Sequence, residues 1–439
     1  MFTIKTEGKT LGQIKPMHSC CSGPRTGGAH LAYDATDIFK EIGIPSCRLH
    51  DVEGAYSCNQ YVDIHCVFPD FDADENDDKN YNFIPTDNYL NAIKNSGAKV
   101  YYRLGESIDH YPNKLFVKPP KDFAKWARIC EHVIRHYNQG WANGFYMDIE
   151  YWEIWNEPEG RAQWRGSYEE FYELYSVTAK HLKKCFPELK IGGYSAVGFY
   201  SEVRPKDHDW YNPWFSTIVP FMDGFFDYID GKDVPLDFFS WHAYTLTPEE
   251  VAAASRYIRN YLDKRGYTKT ESLLTELHMY YVFCSKPVAQ FPQFMSDLLA
   301  MYVELHETPV QEAFFYDLRL NNFNDVFYRD PLEGKIKKRP GFYAMKLFGD
   351  VYRLQNQIAL DYEKGQGVYA IGATDGKNSA IALSSRFYNG EVCIDAPFES
   401  VEVLEVSPDM QQVKLDVIVD GKKAKFNVKE KCIYYVTFS

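Results

Sequence analysis

The chain has 439 residues, of which 45% are hydrophobic and 25% are charged, a composition typical of a globular protein with a large buried core. Its formal net charge is −13, with 61 acidic against 48 basic residues, and no cluster of Lys and Arg interrupts the acidic surplus. This balance argues against a nucleic-acid partner and against an anionic membrane.

The N-terminal stretch M-F-T-I-K-T-E-G-K-T alternates polar and apolar residues, and it lacks the apolar run of a signal peptide or a membrane span. We therefore expect a cytoplasmic protein with no membrane partner. The cysteines include the adjacent pair Cys20 and Cys21 and show no regular spacing, which predicts free and mostly buried thiols. The sequence is compatible with a homo-oligomer.

Short apolar runs recur through the first 320 residues, and each run is followed by a loop and then by a helical pattern. This alternation predicts strand–helix units around a parallel sheet. The runs begin at Ile14, Ile44, Lys99, Tyr151, Lys190, Asp237, Ser272 and Glu312. Eight strands alternating with helices predict an α/β fold, a closed (β/α)8 barrel. An open doubly wound sheet is the alternative, but no Gly-rich phosphate loop follows the first strand.

The texture of the sequence changes from about residue 355. Short alternating segments such as V-E-V-L-E-V, V-K-L-D-V-I-V-D-G-K and C-I-Y-Y-V-T-F follow one another, joined by turns containing Gly, Asn and Asp, with no helical pattern between them. These segments predict a small antiparallel β-sandwich, to which the N-terminal stretch can add a strand. The predicted domains are a catalytic barrel over residues 13–350 and a β-sandwich formed by residues 1–12 together with 351–439.

Polar residues end several of the predicted barrel strands, where the reactive groups of such a barrel lie. Aromatic residues make up 16% of the chain, and because aromatic rings can stack on sugars, this composition favours a small carbohydrate substrate. The strand-end residues are Arg48, His50 and Asp51 on the second strand, Asn156 and Glu157 on the fourth, His242 and Tyr244 on the sixth, Glu276 and His278 on the seventh, and Tyr316 and Asp317 on the eighth.

Two carboxylates, Glu157 in W-N-E-P and Glu276 in L-L-T-E-L-H, lie at strand ends on nearly opposite sides of the predicted barrel mouth. Glycoside hydrolysis needs such a pair, with one acid that protonates the leaving oxygen and one nucleophile or base. The amide beside Glu157 can bond a sugar hydroxyl, and the proline after it stiffens the turn. The pair therefore predicts a glycosidase site.

The segment W-E-I-W-N-E-P resembles the acid/base motif of clan A retaining glycosidases, and within that clan the chain resembles glycoside hydrolase family 39, the β-xylosidase and α-L-iduronidase family. R-L-H at the second strand, D-F-F-S-W-H-A-Y at the sixth and L-L-T-E at the seventh occur in the order expected for that family. The resemblance implies a retaining exo-glycosidase without a cofactor, in which Glu276 is the nucleophile and Glu157 the acid/base.

The resemblance also implies the substrate-binding residues. Asn156 would hold the hydroxyl beside the anomeric carbon, and Arg48 would keep Glu276 ionised. The residues predicted to line the site further are His242, Tyr244, His50, Asp51 and Tyr316. Tyr244 is expected to contact the carboxylate of Glu276.

The sequence departs from the family pattern where the sugar would be gripped. Asp51 stands where the family usually has a glycine, and L-H-M-Y-Y follows the seventh strand's glutamate where Trp-Asn is more usual. A β-xyloside-like sugar is the default expectation, with a hexose, an arabinose or a uronic acid as alternatives. A uronic acid would need a cation, for which Arg103 on the third strand is the candidate.

Two alternative functions follow from other features. A metal-dependent barrel hydrolase could use soft ligands near the first two strands, although their spacing fits no Cys-x2-Cys pattern and our expectation is no metal. A non-catalytic carbohydrate-binding protein is the second alternative, but such a protein need not retain both Glu157 and Glu276. The candidate zinc ligands are His18, Cys20, Cys21, Cys47, His50, Cys58, His65 and Cys66.

Overall fold

The computed structural model describes residues 1–24, 34–52, 61–109, 112–208, 211–279, 291–319, 326–330 and 332–438. The described strands are β1 (Phe2–Lys5), β2 (Thr10–Gln13), β3 (Ser19–Cys21), β4 (Ser46–Arg48), β5 (Lys99–Leu104), β6 (Tyr151–Ile154), β7 (Lys190–Ala196), β8 (Phe238–Thr245), β9 (Glu271–Met279), β10 (Glu312–Phe315), β11 (Phe327–Arg329), β12 (Ile336–Lys338), β13 (Asn356–Ile358), β14 (Val368–Thr374), β15 (Ser379–Ser385), β16 (Gly390–Asp395), β17 (Val401–Val406), β18 (Gln412–Lys414), β19 (Ile418–Asp420), β20 (Lys423–Val428) and β21 (Cys432–Phe438). The described α-helices are α1 (Thr36–Ile42), α2 (Ile64–Val67), α3 (Ile84–Asn95), α4 (Phe123–Gln139), α5 (Tyr168–Cys185), α6 (Tyr200–Val203), α7 (Ile218–Ile229), α8 (Pro248–Lys264), α9 (Phe294–His306) and α10 (Pro340–Arg353). Short 3₁₀ helices cover Asp78–Asn80, Trp141–Asn143 and Pro213–Thr217.

Strands β3 to β10 are parallel and close into a barrel in which β10 pairs with both β9 and β3. This confirms the predicted (β/α)8 barrel. Its first strand begins later than the sequence predicts, at Ser19 rather than Ile14. Pro16 has no N–H to donate to a ladder, and the amide of Met17 bonds to the carbonyl of Lys15, so the chain turns before it joins the sheet.

The helices around the barrel are amphipathic and capped. In α4 the side chain of Asp122 accepts a hydrogen bond from the amide of Lys125, and the helix ends at Gly140, whose φ of 73° is left-handed. Its buried face includes Trp126 and Val133, which pack in the core between helix and sheet. No described helix has both the length and the apolar character that a membrane span requires.

A layer of mostly apolar side chains crosses the barrel interior. Tyr101, Phe238, Leu273 and Phe314 form a buried cluster with Cys21. Such a layer closes the barrel axis and leaves its carboxyl end as the place for polar groups. The mouth above this cluster is where the polar strand-end residues meet.

The C-terminal strands form two sheets with a shared apolar core. One sheet has the order β1-β16-β20-β19 and the other β18-β17-β21-β15-β14-β13-β2. Ile4 and Phe426 from the first sheet lie in one buried cluster with Ile381 and Val436 from the second. The N-terminal stretch contributes two strands, one to each sheet, where the sequence predicted one. The predicted domain ranges stay a prediction.

Strands β18 to β20 differ from the sequence prediction. The run V-K-L-D-V-I-V-D-G-K reads as one strand, but β18 pairs with β17 in the larger sheet and β19 with β20 in the smaller one. The chain crosses between the sheets inside this run. Strand β20 was not predicted, although its alternating burial in K-A-K-F-N-V is the pattern of a half-buried strand.

Helix α9 joins the barrel to the sandwich. Asp297 on this helix forms a buried ion pair with Arg386, and the hydroxyl of Ser384 donates a 2.7 Å hydrogen bond to the carbonyl of Ser296. Both partners on the sandwich side lie in or directly after β15. These buried polar contacts fix the sandwich against one side of the barrel.

Candidate active site

The predicted site residues come together at the carboxyl ends of the barrel strands. Arg48 ends β4, Glu157 follows β6, and Glu276 lies near the end of β9. The side chain of His242 on β8 stands between the two carboxylates, with Nδ1 2.7 Å from Glu157 Oε1 and 3.6 Å from Glu276 Oε2. These four residues form the centre of the mouth.

Glu157 is aimed into the mouth by a strained turn. Trp155 and Glu157 have φ values of 71° and 45°, a left-handed conformation that is unfavourable for side chains of this size. The turn is held by its neighbours, because Trp155 donates its amide to Leu104 O at 2.7 Å and Glu157 donates its amide to Ser195 O at 3.0 Å. Backbone strain of this kind is common at active sites, where a side chain must point in one defined direction.

The environment of Glu157 favours its protonated form. Burial raises the pKa of Glu157 to about 7, with a further contribution from the negative charge of Asp51, while the charge of Arg48 opposes the rise. The side chain is 22% exposed, so it still reaches the mouth. Glu157 can therefore hold a proton near neutral pH and deliver it to a bound molecule.

Glu276 is almost completely buried and is held by two donors. Tyr244 donates its phenol proton to Oε2 at 2.7 Å, and Arg48 Nη1 donates to Oε1 at 3.0 Å. Burial raises the pKa of Glu276, and the charge of Glu157 adds to the rise, while His242, Arg48 and the phenol of Tyr244 lower it. When Glu157 is protonated, its negative charge no longer raises the pKa of Glu276. Tyr244 and Arg48 then favour the ionised form of Glu276.

A break in strand register places Glu276 opposite His242. Strands β8 and β9 pair in register up to Trp241 and Leu274, and then His242 pairs with Glu276, so Thr275 is the extra residue of a β-bulge. One oxygen of Glu157, one of Glu276 and one ring nitrogen of His242 lie within 4.8 Å of one another. The two carboxylates are therefore close enough to act on one bond.

Arg48 organises the floor of the site through a buried network. Its Nε donates to Glu153 Oε2 at 2.7 Å, and its Nη2 donates to Asn156 Oδ1 at 2.6 Å and to Ser195 Oγ at 2.7 Å. Glu153 and Ser195 are not predicted from the sequence as site residues. The alternating pattern of K-I-G-G-Y-S-A is enough to predict that the side chain of Ser195 points into the barrel. It does not predict the hydrogen-bond partners of Ser195, because these partners lie on other strands.

His50, Asp51 and Tyr316 line the side of the mouth next to Glu276. His50 Nε2 lies 3.8 Å from Glu276 Oε1 and 3.6 Å from Asp51 Oδ2. Asp51 has a left-handed φ of 46° and accepts a 3.1 Å hydrogen bond from the phenol of Tyr316. The rings of Tyr244 and Tyr316 meet edge to face at 6.2 Å. The structure thus brings the residues predicted to catalyse the reaction and bind the substrate to one mouth. His278, also predicted at a strand end, instead packs against the rings of Phe294 and Phe315.

Two arginines near the mouth are engaged by acidic side chains. Arg103, the predicted candidate for binding a uronic acid, is completely buried and pairs with Asp63 at 2.6 Å. Arg319 pairs with Asp317 at 2.5 Å and also donates to the carbonyl of Asp51 at 2.6 Å. Because acidic partners balance both guanidinium charges, neither arginine is placed as an uncompensated cation.

Among the described residues, the cysteines and histidines considered as zinc ligands do not form a group of three with one another. His18 Nε2 bonds to the carbonyl of Gly43 at 3.1 Å, while the Sγ atoms of Cys20 and Cys47 are 3.8 Å apart. Cys58 lies outside the described residues. Among the described residues, the groups with donor atoms spaced closely enough for a metal ion are Glu131, His181 and Cys185; Asp63, His65 and Glu106; and Glu157, His242 and Glu276.

Two curated proteins are similar in sequence to parts of this chain. It is 24% identical to a beta-xylosidase from Caldicellulosiruptor saccharolyticus over 256 residues, which cover 54% of this chain and 45% of that protein. It is 30% identical to a beta-xylosidase from Geobacillus stearothermophilus over 132 residues, which cover 29% of this chain and 22% of that protein. The matches thus span less than half the length of these curated relatives.

A solved structure and a family model extend the comparison. The crystal structure of a glucosidase from Croceicoccus marinus aligns with a TM-score of 0.77 at 20% identity, covering 100% of this chain and 99% of that one, which shows a shared fold. The model described as "Glycosyl hydrolases family 39" matches residues 5–275. Because this match covers more than half of the 439 residues, the chain belongs to glycosyl hydrolases family 39.

Proposed function

We propose that the protein is a retaining exo-glycoside hydrolase that releases a terminal, β-xyloside-like sugar from small glycosides or oligosaccharides. The observation that carries the proposal is the spacing of Glu157 and Glu276, because one oxygen of each carboxylate lies within 4.8 Å of the other. Retaining glycosidases hold their two carboxyl groups about 5 to 5.5 Å apart, whereas inverting enzymes need about 6.5 to 9.5 Å for a water molecule. The beta-xylosidases among the relatives support the choice of sugar.

In the first step Glu276 attacks the anomeric carbon of the bound sugar. The bond between that carbon and the leaving oxygen breaks, and Glu157 transfers its proton to the leaving oxygen. Arg48 and Tyr244 hold the attacking carboxylate by one oxygen each, which fixes its direction and favours its ionised form. The products of this step are the free leaving group and a glycosyl ester on Glu276.

In the second step water replaces the ester. Glu157, now ionised, takes a proton from a water molecule that attacks the anomeric carbon, and Glu276 leaves as a carboxylate. The negative charge on Glu276 is absent while the ester exists, which lowers the pKa of Glu157 and suits its role as a base. The sugar leaves with the anomeric configuration that it had in the substrate.

Asn156 is proposed to hold the hydroxyl beside the anomeric carbon. Its Oδ1 accepts from Arg48 at 2.6 Å, which fixes the amide so that Nδ2 is the group left to donate. Within the described part of the chain, Nδ2 has no hydrogen-bond partner. A buried donor without a partner is costly, and a sugar hydroxyl would satisfy it.

The charges around the mouth favour a neutral sugar over a uronic acid. Arg48 is balanced by Glu153 and Glu276, and the guanidinium groups of Arg103 and Arg319 are balanced by their own acidic partners. The carboxylates of Asp51 and Glu276 both lie within 4 Å of His50 Nε2, at 3.6 Å and 3.8 Å. A uronate would add negative charge to a mouth without a spare cation among these arginines.

A panel of nitrophenyl glycosides that varies sugar and anomer tests the proposal. We expect turnover of a neutral β-glycoside, with a β-xyloside favoured, and slower turnover of the matched β-glucuronide. Turnover that a chelator abolishes would instead support a metal-dependent hydrolase. Sugar binding without turnover of any glycoside would support a non-catalytic carbohydrate-binding protein.

A further inference from the structure

Ser195 lies below the two carboxylates, at a point where the backbone of β7 is distorted. The register between β7 and β8 shifts between Tyr194 and Ala196, and Ser195 has a left-handed φ of 65°. Its amide donates to Ser240 Oγ at 2.9 Å, and its carbonyl accepts from the amide of Glu157. The residue is therefore tied both to β8 and to the turn that carries Glu157.

The hydroxyl of Ser195 has four polar neighbours. Its Oγ lies 2.7 Å from Arg48 Nη2, 3.0 Å from Glu153 Oε1, 2.9 Å from His242 Nε2 and 3.0 Å from Thr275 Oγ1. A hydroxyl has one proton to donate and two lone pairs. The identities of the neighbours decide where that one proton goes.

Two of these neighbours have fixed roles. A guanidinium group can only donate, so Ser195 accepts from Arg48. Glu153 forms a buried ion pair with Arg48 at 2.7 Å, and a carboxylate paired in this way can only accept, so Ser195 donates its proton to Glu153. Ser195 then has no proton left for His242. The contact at 2.9 Å is a hydrogen bond only if His242 carries its own proton on Nε2 and donates it to Ser195.

We infer that Ser195 is a positioning residue, which fixes His242 in the Nε2–H tautomer and so leaves Nδ1 as an acceptor for the proton of Glu157. The inference rests on the proposed role of Glu157 as the acid. With Nδ1 unprotonated, its 2.7 Å contact with Glu157 Oε1 requires the proton to be on Glu157. The opposite tautomer would donate to Glu157 and favour its ionised form.

The charged groups around His242 are consistent with a neutral ring. Burial lowers the pKa of His242 to about 4, and Arg48 lowers it further, while Glu276 and Glu153 oppose the shift. Because the pKa of Glu157 is raised to about 7, the pair carries one neutral acid and one neutral imidazole between these two pH values. When Glu157 loses its proton, its Oε1 and the unprotonated Nδ1 of His242 face each other without a proton between them. This arrangement favours the return of a proton from water to Glu157.

Two variants of Ser195 test the inference in the complete chain. Ser195→Gly removes the hydroxyl at a position whose left-handed φ favours glycine, so we expect this variant to fold, and Ser195→Ala removes the hydroxyl while keeping Cβ. In both variants the tautomer is no longer fixed. We expect the basic limb of the kcat/KM profile to move about 1 pH unit lower, as expected when a hydrogen bond to a charged group is gained.

The leaving group supplies a readout that a structural defect would not reproduce. At pH 7, kcat/KM should fall about fivefold for a phenyl glycoside, which needs protonation, and less than about twofold for a dinitrophenyl glycoside, which does not. Ser272→Ala is the control, because it removes a buried hydroxyl on β9 that accepts a 3.0 Å hydrogen bond from Trp241 Nε1 and plays no part in the network around Ser195. An unchanged basic limb and equal losses for both glycosides in the Ser195 variants would overturn the inference.

A measurement without substrate separates this inference from the proposed function. The ¹⁵N chemical shifts of His242, assigned with His242→Gln, report which ring nitrogen carries the proton. We expect a protonated Nε2 and an unprotonated Nδ1 in the wild-type protein, and a mixture of tautomers in Ser195→Ala. A protonated Nδ1 in the wild type would overturn the inference, whether or not the protein hydrolyses a glycoside.

Discussion

Tyr244 donates a 2.7 Å hydrogen bond from its phenol to Oε2 of Glu276, across two neighbouring barrel strands. The other oxygen of Glu276 accepts from Arg48 at 3.0 Å, so each carboxylate oxygen has its own donor. A carboxylate held in this way is both oriented and stabilised in its charged form. This arrangement suits a nucleophile in an otherwise buried position.

The Tyr244–Glu276 bond can be removed with little change in shape. Tyr244→Phe should raise the pKa of Glu276, because the phenol favours the ionised carboxylate. We expect the acid limb of the kcat/KM profile to move upward by about 1 pH unit, while the basic limb stays in place. An unchanged acid limb would show that Tyr244 does not support the charge of Glu276.

Removal of the proposed nucleophile should abolish turnover. Glu276→Gln keeps the size of the side chain but cannot form a glycosyl ester, so we expect kcat to fall by about 10⁴-fold or more. Glu271→Gln is a control on the same strand, where Glu271 bonds Lys190 and Tyr151 at the far end of the barrel. Comparable losses in both variants would point to a folding defect rather than to loss of the nucleophile.

Removal of the proposed acid should affect substrates unequally. Glu157→Ala should lose most kcat/KM with a phenyl glycoside and little with a dinitrophenyl glycoside, whose leaving group needs no proton. Azide, which can replace the missing base in the second step, should restore turnover and give a glycosyl azide. Glu159→Gln is the control, because burial raises the pKa of Glu159 well above its ordinary value and an amide resembles its neutral form.

The pKa shifts predict a bell-shaped dependence of kcat/KM on pH. Activity needs a proton on Glu157, so it should fall as the pH rises through about 7. Activity also needs an ionised Glu276, so it should fall as the pH drops through the raised pKa of that group. An activity plateau that extends well above pH 8 would contradict Glu157 as the acid in its present environment.

Arg48 should be important for stability as well as for the charge of Glu276. Arg48→Met leaves Glu153 and Glu276 buried without their cation, and we expect the free energy of unfolding to fall by about 3–5 kcal/mol. Arg265→Met is the control, since the ion pairs of Arg265 lie at the surface and should contribute less than about 1 kcal/mol. Urea unfolding followed by circular dichroism measures both changes, and equal midpoints for the two variants would contradict a structural role for the buried network.

The sequence was informative about the strands that carry the site. The apolar runs at Lys190, Asp237 and Ser272 became β7, β8 and β9 with bounds within one residue or so, because short apolar segments bounded by turns are distinctive in a parallel barrel. The positions of Glu157 and Glu276 at strand ends followed from the same pattern. Family membership then confirmed the resemblance on which their proposed roles rest.

Other features of the site depend on local backbone geometry that a sequence pattern does not encode. The bulge at Thr275 determines that Glu276 faces His242, and a regular alternation along β9 would not predict it. The left-handed conformations of Glu157 and Ser195 likewise come from tertiary contacts. Arg103 is the sequence's candidate cation for a uronic acid. Its pairing with Asp63 is not predictable from the sequence pattern, because the two residues lie forty positions apart in the chain.

The proposed covalent intermediate is the central claim, and a fluorinated substrate tests it most directly. The protein is incubated with the 2-deoxy-2-fluoro, dinitrophenyl form of the sugar that the glycoside panel identifies, and the labelled peptide is mapped by mass spectrometry. We predict stoichiometric inactivation with the fluorosugar on Glu276, in the segment L-L-T-E-L-H. Wild-type protein that turns over the parent glycoside but carries the label on another residue, or on none, would contradict the account.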